Sequence, residues 1–505
     1  MTGRMTGDTH QDEPRLTRAT LLRRGAAMAA GAGTLGAAAR LRAAPRAPLS
    51  DLAQATSGPL LRPGGAGYAS ARRVVNARYD TARPLAVLKA RNAADVRAAV
   101  RWSARNGVRM VARSGGHSYA GYSTADGGLV VDLSSLNGIA VSADRRTVQI
   151  GAGARLIDVY SALARRALTV PGGSCPTVGV GGLALGGGIG LAARALGATC
   201  DNIAALTIVT ADGRALQCDR NHNGDLYWAC RGGGGGNFGV VTGFTFITHR
   251  VSSASYFFAS FPWSRAAEVI RAWQAWAPEA PDDLYSICSV STGASGPVIT
   301  AFGQWMGDQA GLRRTLRPFT SATGPSSLSV GTSSYMDLML RWAGCLDESP
   351  AECRRPPSQL FAAGSGYGRG PLSSAGARAI VSAILRRQAD SAHGTGFILL
   401  DSYGGAITRI PVDATAFVHR DARFSLQFGA YWTDPADAAR GVAWVKSART
   451  SVRPFISGQA YQNYIDPTLD DWQAAYYGSN LARLRDVKAR YDPDRVFRFP
   501  QGIRA

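Results

Sequence analysis

Three glycine-rich stretches hold the residues of this chain whose types and spacing could do chemistry. The first is Arg113-Ser-Gly-Gly-His-Ser-Tyr-Ala-Gly121, directly after an alternating run at 108–113 that reads as a strand. Gly115 and Gly116 free the backbone to turn successive N–H groups inward, a nest suited to phosphate. The loop lacks G-x-G-x-x-G and no helix follows it, so a doubly wound dinucleotide site is not supported. On spacing alone, His117 is a turn histidine or a reactive group. The second stretch is Pro171-Gly-Gly-Ser-Cys-Pro-Thr-Val-Gly-Val-Gly-Gly-Leu-Ala-Leu-Gly-Gly-Gly-Ile-Gly190, with Cys175 inside it. Its glycines are too dense for a helix or a central strand. Its interleaved Val178, Val180, Leu183, Leu185 and Ile189 are too apolar for a linker. Backbone laid against a large flat ligand fits both facts. The third stretch, Arg231-Gly-Gly-Gly-Gly-Gly-Asn-Phe-Gly-Val240, runs into a strand. The histidines are scattered, none three or four residues from another, so no metal site is expected.

Ordinary elements surround these loops. A short strand at 84–89 precedes a helix at 93–106, capped by Asn92, with Val96, Val100 and Trp102 on one side. Strands are expected at 129–133, 147–150, 206–210 and 240–248, and a helix at 156–167. From 251 the texture changes. Strands at 284–290, 298–305, 397–403 and 424–432 alternate with helices at 264–276, 374–388 and 436–450, which predicts a sheet with helices on one face. A helix is expected at 469–490. The α+β organisation therefore divides into a connector at 48–78, a first domain at 79–250, a second at 251–450 and a C-terminal segment at 451–505.

Composition removes other classes. The chain has 505 residues, is 46% hydrophobic and 18% charged, and so has material for a core. Of its 60 glycines, 27 lie between Gly115 and Gly243, so the excess is local to the three loops. The net charge of +21 suggests nucleic acid at first. Yet the only lysines are Lys89, Lys446 and Lys488, and the arginines form no run, so a dispersed basic surface is expected. Residues 1–47 read as an export signal: Arg15-Leu-Thr-Arg-Ala-Thr-Leu-Leu-Arg-Arg24, then an uncharged stretch rich in Ala and Gly to Ala39. Arg23-Arg24 and the mild apolar region point to the twin-arginine route and a protein exported folded. No stretch is expected to span a membrane stably. Seven cysteines leave at least one outside an internal disulfide; Cys345 with Cys353 is the expected pair, and Cys218 with Cys230 a second candidate.

The three loops, with Tyr461-Gln-Asn-Tyr464 and Tyr491-Asp-Pro-Asp-Arg-Val-Phe-Arg498, resemble the berberine-bridge-enzyme-like flavin oxidases of the vanillyl-alcohol-oxidase (PCMH-type) superfamily, over roughly residues 75–505. The resemblance implies a PCMH-type FAD-binding domain and a substrate domain with an antiparallel sheet covered by helices. It implies FAD attached twice, as an 8α-histidyl link at His117 and a 6-S-cysteinyl link at Cys175. The backbone and side chains implied around it are Arg113, Ser114, Gly115, Gly116 and Ser118 in the first loop; Thr177, Val178, Gly179, Val180, Gly181, Gly182, Gly186, Gly187 and Gly190 in the second; and Asn237, Phe238, Gly239 and Val240 in the third. Val180 falls where the family's small residue gives oxygen access to the flavin. Leu183 departs from the histidine many relatives carry, and the plant enzymes' glutamate base has no clear counterpart.

The resemblance implies hydride transfer from an alcohol carbon to FAD, with O2 as acceptor and H2O2 as product. The implied base is one of the tyrosines Tyr461 and Tyr464, positioned by Asn463, with Gln427 facing the flavin. A phenol near pKa 10 acts as a base near neutrality only if a neighbouring positive charge lowers it. The substrate expected with it is a sugar, oligosaccharide or glycosylated natural product. Alternatives are oxidative tailoring of a polyketide or alkaloid aglycone, and a protein that binds FAD with little oxidase activity. Partners are the small-molecule substrate and O2, with no nucleic acid, and a monomer is expected.

Overall fold

A computed structural model describes residues 48–505 except Pro356 and Pro357; the export-signal expectation falls outside the described residues. The helix Ala93–Asn106 starts where the Asn92 side chain accepts the Asp95 N–H and stops at Gly107. It links the strands Ala86–Lys89 and Met110–Arg113, both of which run parallel to Leu129–Asp132 between them. The chain before it carries short elements of its own. Leu60–Leu61 pairs with Val87 and Leu88, and the buried Asp95 carboxylate accepts the Ser57 and Gly58 N–H groups. A second sheet is antiparallel: Ile139–Val141, Thr147–Gly151, Val240–Ile247, Ile203–Val209 and Ala215–Cys218, in spatial order.

The third large sheet has seven antiparallel strands: Ser327–Ser334, Ser253–Phe261, Val298–Trp305, Leu284–Ser291, Thr395–Ser402, Phe424–Trp432 and Leu360–Gly368, in spatial order. Side chains alternate across it. Ile398, Leu400, Leu426 and Phe428 point into a core made with Trp273, Phe319, Ile380 and Val445 of four covering helices. These are Ala266–Trp276, Gln309–Thr323, Ser374–Ala389 and Ala438–Val452. The alternate residues Phe397, Leu399, Asp401, Ser425, Gln427 and Tyr431 line a cavity on the opposite face. The architecture is the expected α+β arrangement, an FAD-domain-like part and an antiparallel sheet covered by helices.

Several local features depart from the expectations. The strands Ser253–Phe261, Ser327–Ser334 and Leu360–Gly368 and the helices Gln309–Thr323 and Tyr335–Trp342 were not expected. The sheet supplies the pairing that their Ser- and Gly-rich sequences do not advertise. The tail helix is two pieces, Trp472–Tyr477 and Leu481–Tyr491, broken at Gly478. Glycine-rich Val180–Leu185 is a short helix after all, because Val180, Ala184 and Leu185 seat it on the core. Cys345 and Cys353 are bonded, whereas Cys218 and Cys230 are free thiols buried in the main core.

The C-terminus is tied to the third glycine loop. Buried Lys488 donates to Asn237 O and Phe497 O and pairs with Asp492, while Ile503 N donates to Asn237 Oδ1. Asp492 in turn accepts the Val496 and Phe497 N–H groups. Residues far apart in the chain are thereby held to one wall.

Candidate active site

A cavity of about 850 Å³, large for a small-molecule or cofactor site, runs between the three glycine loops, the seven-stranded sheet and the C-terminal segment. The first two loops touch backbone to backbone. A Cβ on Gly115 would lie 2.3 Å from Gly179 N, so only glycine permits this approach. That contact brings His117 and Thr177 together: His117 Nε2 is 2.8 Å from Thr177 Oγ1. Burial, with the nearby Arg155 charge, lowers the His117 imidazole to about 4, so it is neutral at pH 7. Cys175 is open to the cavity, yet the cavity is deep, and the desolvation raises its thiol above the ordinary value.

Most residues proposed from the sequence meet on this wall. His117, Cys175, Ser114, Gly115, Gly116, Ser118, Thr177, Val178, Gly179, Gly181, Gly182, Gly190, Asn237, Gly239 and Val240 line it, with Gln427, Tyr461, Asn463 and Tyr464. Five do not. Arg113 is buried against Asp132, with an N–O distance of 2.6 Å, and donates to Ala71 and Arg73 carbonyls, so it anchors the loop from behind. Phe238 and Val180 are buried in the core, Val180 at the start of its short helix, and neither lines the cavity. Gly186 and Gly187 make room for side chains. A Cβ on Gly186 would lie 2.0 Å from Asn463 Oδ1, and one on Gly187 would lie 2.8 Å from the Phe417 ring.

That packing sets the roles of the two tyrosines. Tyr461 Oη accepts from Gly188 N at 2.8 Å and Asn463 Nδ2 at 2.9 Å, and Asn463 Nδ2 also donates to Leu183 O. Tyr464 lies edge-on to Tyr461, with centroids 5.0 Å apart, and stacks on Tyr119 at 5.4 Å. Gln427 Nε2 donates to Tyr119 Oη at 2.8 Å. The Tyr464 hydroxyl has no hydrogen-bond partner among the described residues. Among the described residues, no cation is among the groups that act on these phenols. Burial raises both, partly offset at Tyr461 by its two donors, and reinforced at Tyr464 by Tyr119 and Asp401.

Asp401 is the residue the sequence reading missed. It sits on the cavity face of its strand, Oδ1 accepting from Tyr285 Oη at 3.3 Å and Oδ2 buried without a partner. Burial raises its carboxyl to about 7, against hydrogen bonds from Tyr285 and Ser425. A carboxyl poised near neutrality in a cleft is a mark of a functional site. Period-two alternation at 397–401 was the available signal: it places a charge where an apolar strand face would continue.

The comparisons agree with this geometry. An FAD binding domain model matches residues 84–219, and a "berberine and berberine like" model matches residues 460–504. The FAD-linked oxidoreductase YvdP of Bacillus subtilis is 34% identical over 455 residues, covering 88% of this chain and 98% of that protein. The chitooligosaccharide oxidase of Gibberella zeae is 32% identical over 442 residues, 83% of this chain and 87% of that protein. This chain belongs to the berberine-bridge-enzyme-like family of FAD-linked oxidoreductases. The solved structure of the family's Physcomitrella patens BBE-like 1 superposes with a TM-score of 0.84 at 32% identity, over 90% of this chain and 99% of that one.

As a berberine-bridge-like oxidoreductase, the chain has a wall that fits FAD. Gly182 faces open space, and a Cβ there would meet nothing within 4 Å. Gln462 donates to Gly232 O, leaving its buried Oε1 on the wall without a partner. Bare backbone and spare polar atoms along a deep cavity suit a large polar cofactor.

Proposed function

We propose that this protein oxidises a hydroxyl-bearing carbon of a sugar, an oligosaccharide or a glycosylated natural product, with FAD held through both His117 and Cys175 and O2 as final acceptor giving H2O2. The observation that carries the reading is the convergence of His117, Cys175, Tyr464 and Asp401 on one cavity. FAD, when bound, supplies the hydride acceptor. The chain supplies the rest. The neutral His117 imidazole is the form able to bond to carbon, and Thr177 fixes its orientation. Cys175 presents its sulfur from the facing loop.

Tyr464 has the free hydroxyl that can receive a substrate hydroxyl, whereas the Tyr461 oxygen is already occupied by two donors. Asp401, ionised above about pH 7, is the site's final proton acceptor: the neutral Tyr464 phenol takes the substrate proton as its own passes through a bridging water to Asp401, whose charge raises that phenol. The base is then a phenol and carboxylate acting together rather than a phenol lowered by a cation. The name of the chitooligosaccharide oxidase supports a carbohydrate substrate. The Cys345–Cys353 disulfide and the leader at 1–47 support export, folded, by the twin-arginine route.

A second reading, oxidation of an aromatic aglycone, draws on Phe397 and Tyr431, whose rings stack at 5.8 Å on the cavity face. Peroxide release from a panel of free sugars, oligosaccharides, glycosides and aglycones decides between them. Peroxide with oligosaccharides is the expected result. Turnover confined to aglycones would establish the second reading instead.

A further inference from the structure

The loop closed by Cys345 and Cys353 has no part in the proton chemistry, yet both cysteines border the same cavity as Cys175. The loop makes almost no core of its own. Of residues 344–355, all are exposed or half-buried except Cys353. The one buried contact it makes is specific. Cys353 joins Leu340 and Ile157 in a small apolar cluster, with Met336, Ala343 and Cys345 packed around it. Ile157 comes from the FAD-binding part of the chain; every other member lies between 336 and 353. Two polar contacts run beside the cluster. Arg155 donates to Arg354 O at 2.6 Å, and Arg354 Nε lies 2.5 Å from Asp158 Oδ1. The Arg354 side chain is half exposed, so that ion pair alone holds little. Buried Ile157, seated against the disulfide, is the firmer part of the contact.

Ile157 lies in the first turn of the helix Leu156–Ala164. The N–H groups that open a helix have no partner within it. Here they are given to the chain around Cys175. Leu156 N donates to Val178 O at 3.0 Å, and Ile157 N to Pro176 O at 3.1 Å. One turn on, Tyr160 Oη donates to Gly173 O at 2.8 Å. The carbonyls at 173, 176 and 178 straddle Cys175, so a single helix sets the path of the segment that presents its sulfur. The loop of His117 has anchors of its own: Arg113 is paired with Asp132 behind it, and Val75 N donates to Gly116 O at 3.2 Å.

We infer that the Cys345–Cys353 loop is a brace that positions Cys175. Through Ile157 it pins the helix Leu156–Ala164, and that helix holds the Cys175 segment in place for its bond to FAD. The link at Cys175 therefore depends on the disulfide, and the link at His117 does not. Ile157, Cys345 and Cys353 are positioning residues that act through the helix. The inference rests on the double attachment proposed above and deepens it, naming what sets one of the two links from some 180 residues away in the chain.

The test adds Cys345→Ser with Cys353→Ser to each single-link background, purified with its flavin and precipitated with acid. In His117→Ala, where Cys175 alone retains the flavin, opening the disulfide is expected to move most of it from pellet to supernatant. In Cys175→Ala the flavin stays in the pellet. Ile157→Ala, with the disulfide intact, gives the same selective loss, and Ile157→Leu keeps the flavin bound. A loop that merely stabilised the fold would cost both backgrounds alike. Equal losses, or no loss in His117→Ala, would overturn the brace and leave double attachment standing. If either single variant releases its flavin before the disulfide is touched, the double-attachment reading fails instead. The brace is then decided by amide hydrogen exchange in the wild type and the disulfide variant. Exchange that quickens over residues 172–180 but not over 113–121 supports it; a change in both segments or in neither overturns it.

Discussion

Replacing Tyr464 with phenylalanine lowers kcat by about a hundred- to ten-thousand-fold, the range for loss of a positioned proton-transfer group, while flavin content and its absorption spectrum stay as in the wild type. The change removes one oxygen that has no hydrogen-bond partner among the described residues, and the ring keeps its stack on Tyr119. Little else moves, so a loss in turnover reads as lost chemistry. Tyr461→Phe behaves differently. It strips the acceptor from Gly188 N–H and Asn463 Nδ2, both in the packed turn over Gly186. Leaving buried donors unpaired costs about 1–3 kcal/mol, so this variant loses stability and flavin loading along with activity. Stopped-flow reduction under anaerobic conditions, beside thermal melts, separates the two. Equal defects of both kinds in the two variants would remove the assignment of the base to Tyr464.

Asp401→Asn removes the pH dependence that its carboxyl imposes. In the wild type the reduction rate rises through about pH 7 as Asp401 ionises; in the variant that limb is gone and the rate is low throughout. Stability moves the other way. A carboxyl raised from 3.8 to about 7 in the folded protein contributes stability that is whole below its unfolded value and lost as pH rises through the folded one. The asparagine variant therefore melts higher than the wild type at pH 8, and this difference shrinks at pH 4. A few kcal/mol is the scale, because a tenfold change in proton affinity corresponds to about 1.4 kcal/mol. An unchanged pH–rate profile would take Asp401 out of the reaction.

The cofactor wall was legible because glycine has few reasons to be dense. The loops at 113–121 and 171–190 declare close backbone approach, and the structure shows that approach between Gly115 and Gly179. The purpose of individual glycines was harder to read. Gly186 and Gly187 accommodate Asn463 and Phe417, contacts some 280 and 230 residues away in the chain that no local pattern announces. The resemblance implies Arg113 beside FAD, but its partner Asp132 lies on a strand whose parallel pairing appears only in three dimensions. Asp401 was hidden for a related reason. Its strand reads as an ordinary apolar segment, and its raised carboxyl comes from burial that only the folded chain provides. The helices covering the seven-stranded sheet were partly readable from their periodicity, while its outer strands depend on neighbours for their order.

The most direct test of the central claim is acid precipitation of the purified protein and of His117→Ala, Cys175→Ala and the double variant, with flavin absorbance read in pellet and supernatant. Attachment at both residues predicts yellow pellets from the wild type and from each single variant, and flavin released to the supernatant only from the double variant. Free FAD in the wild-type supernatant would contradict it.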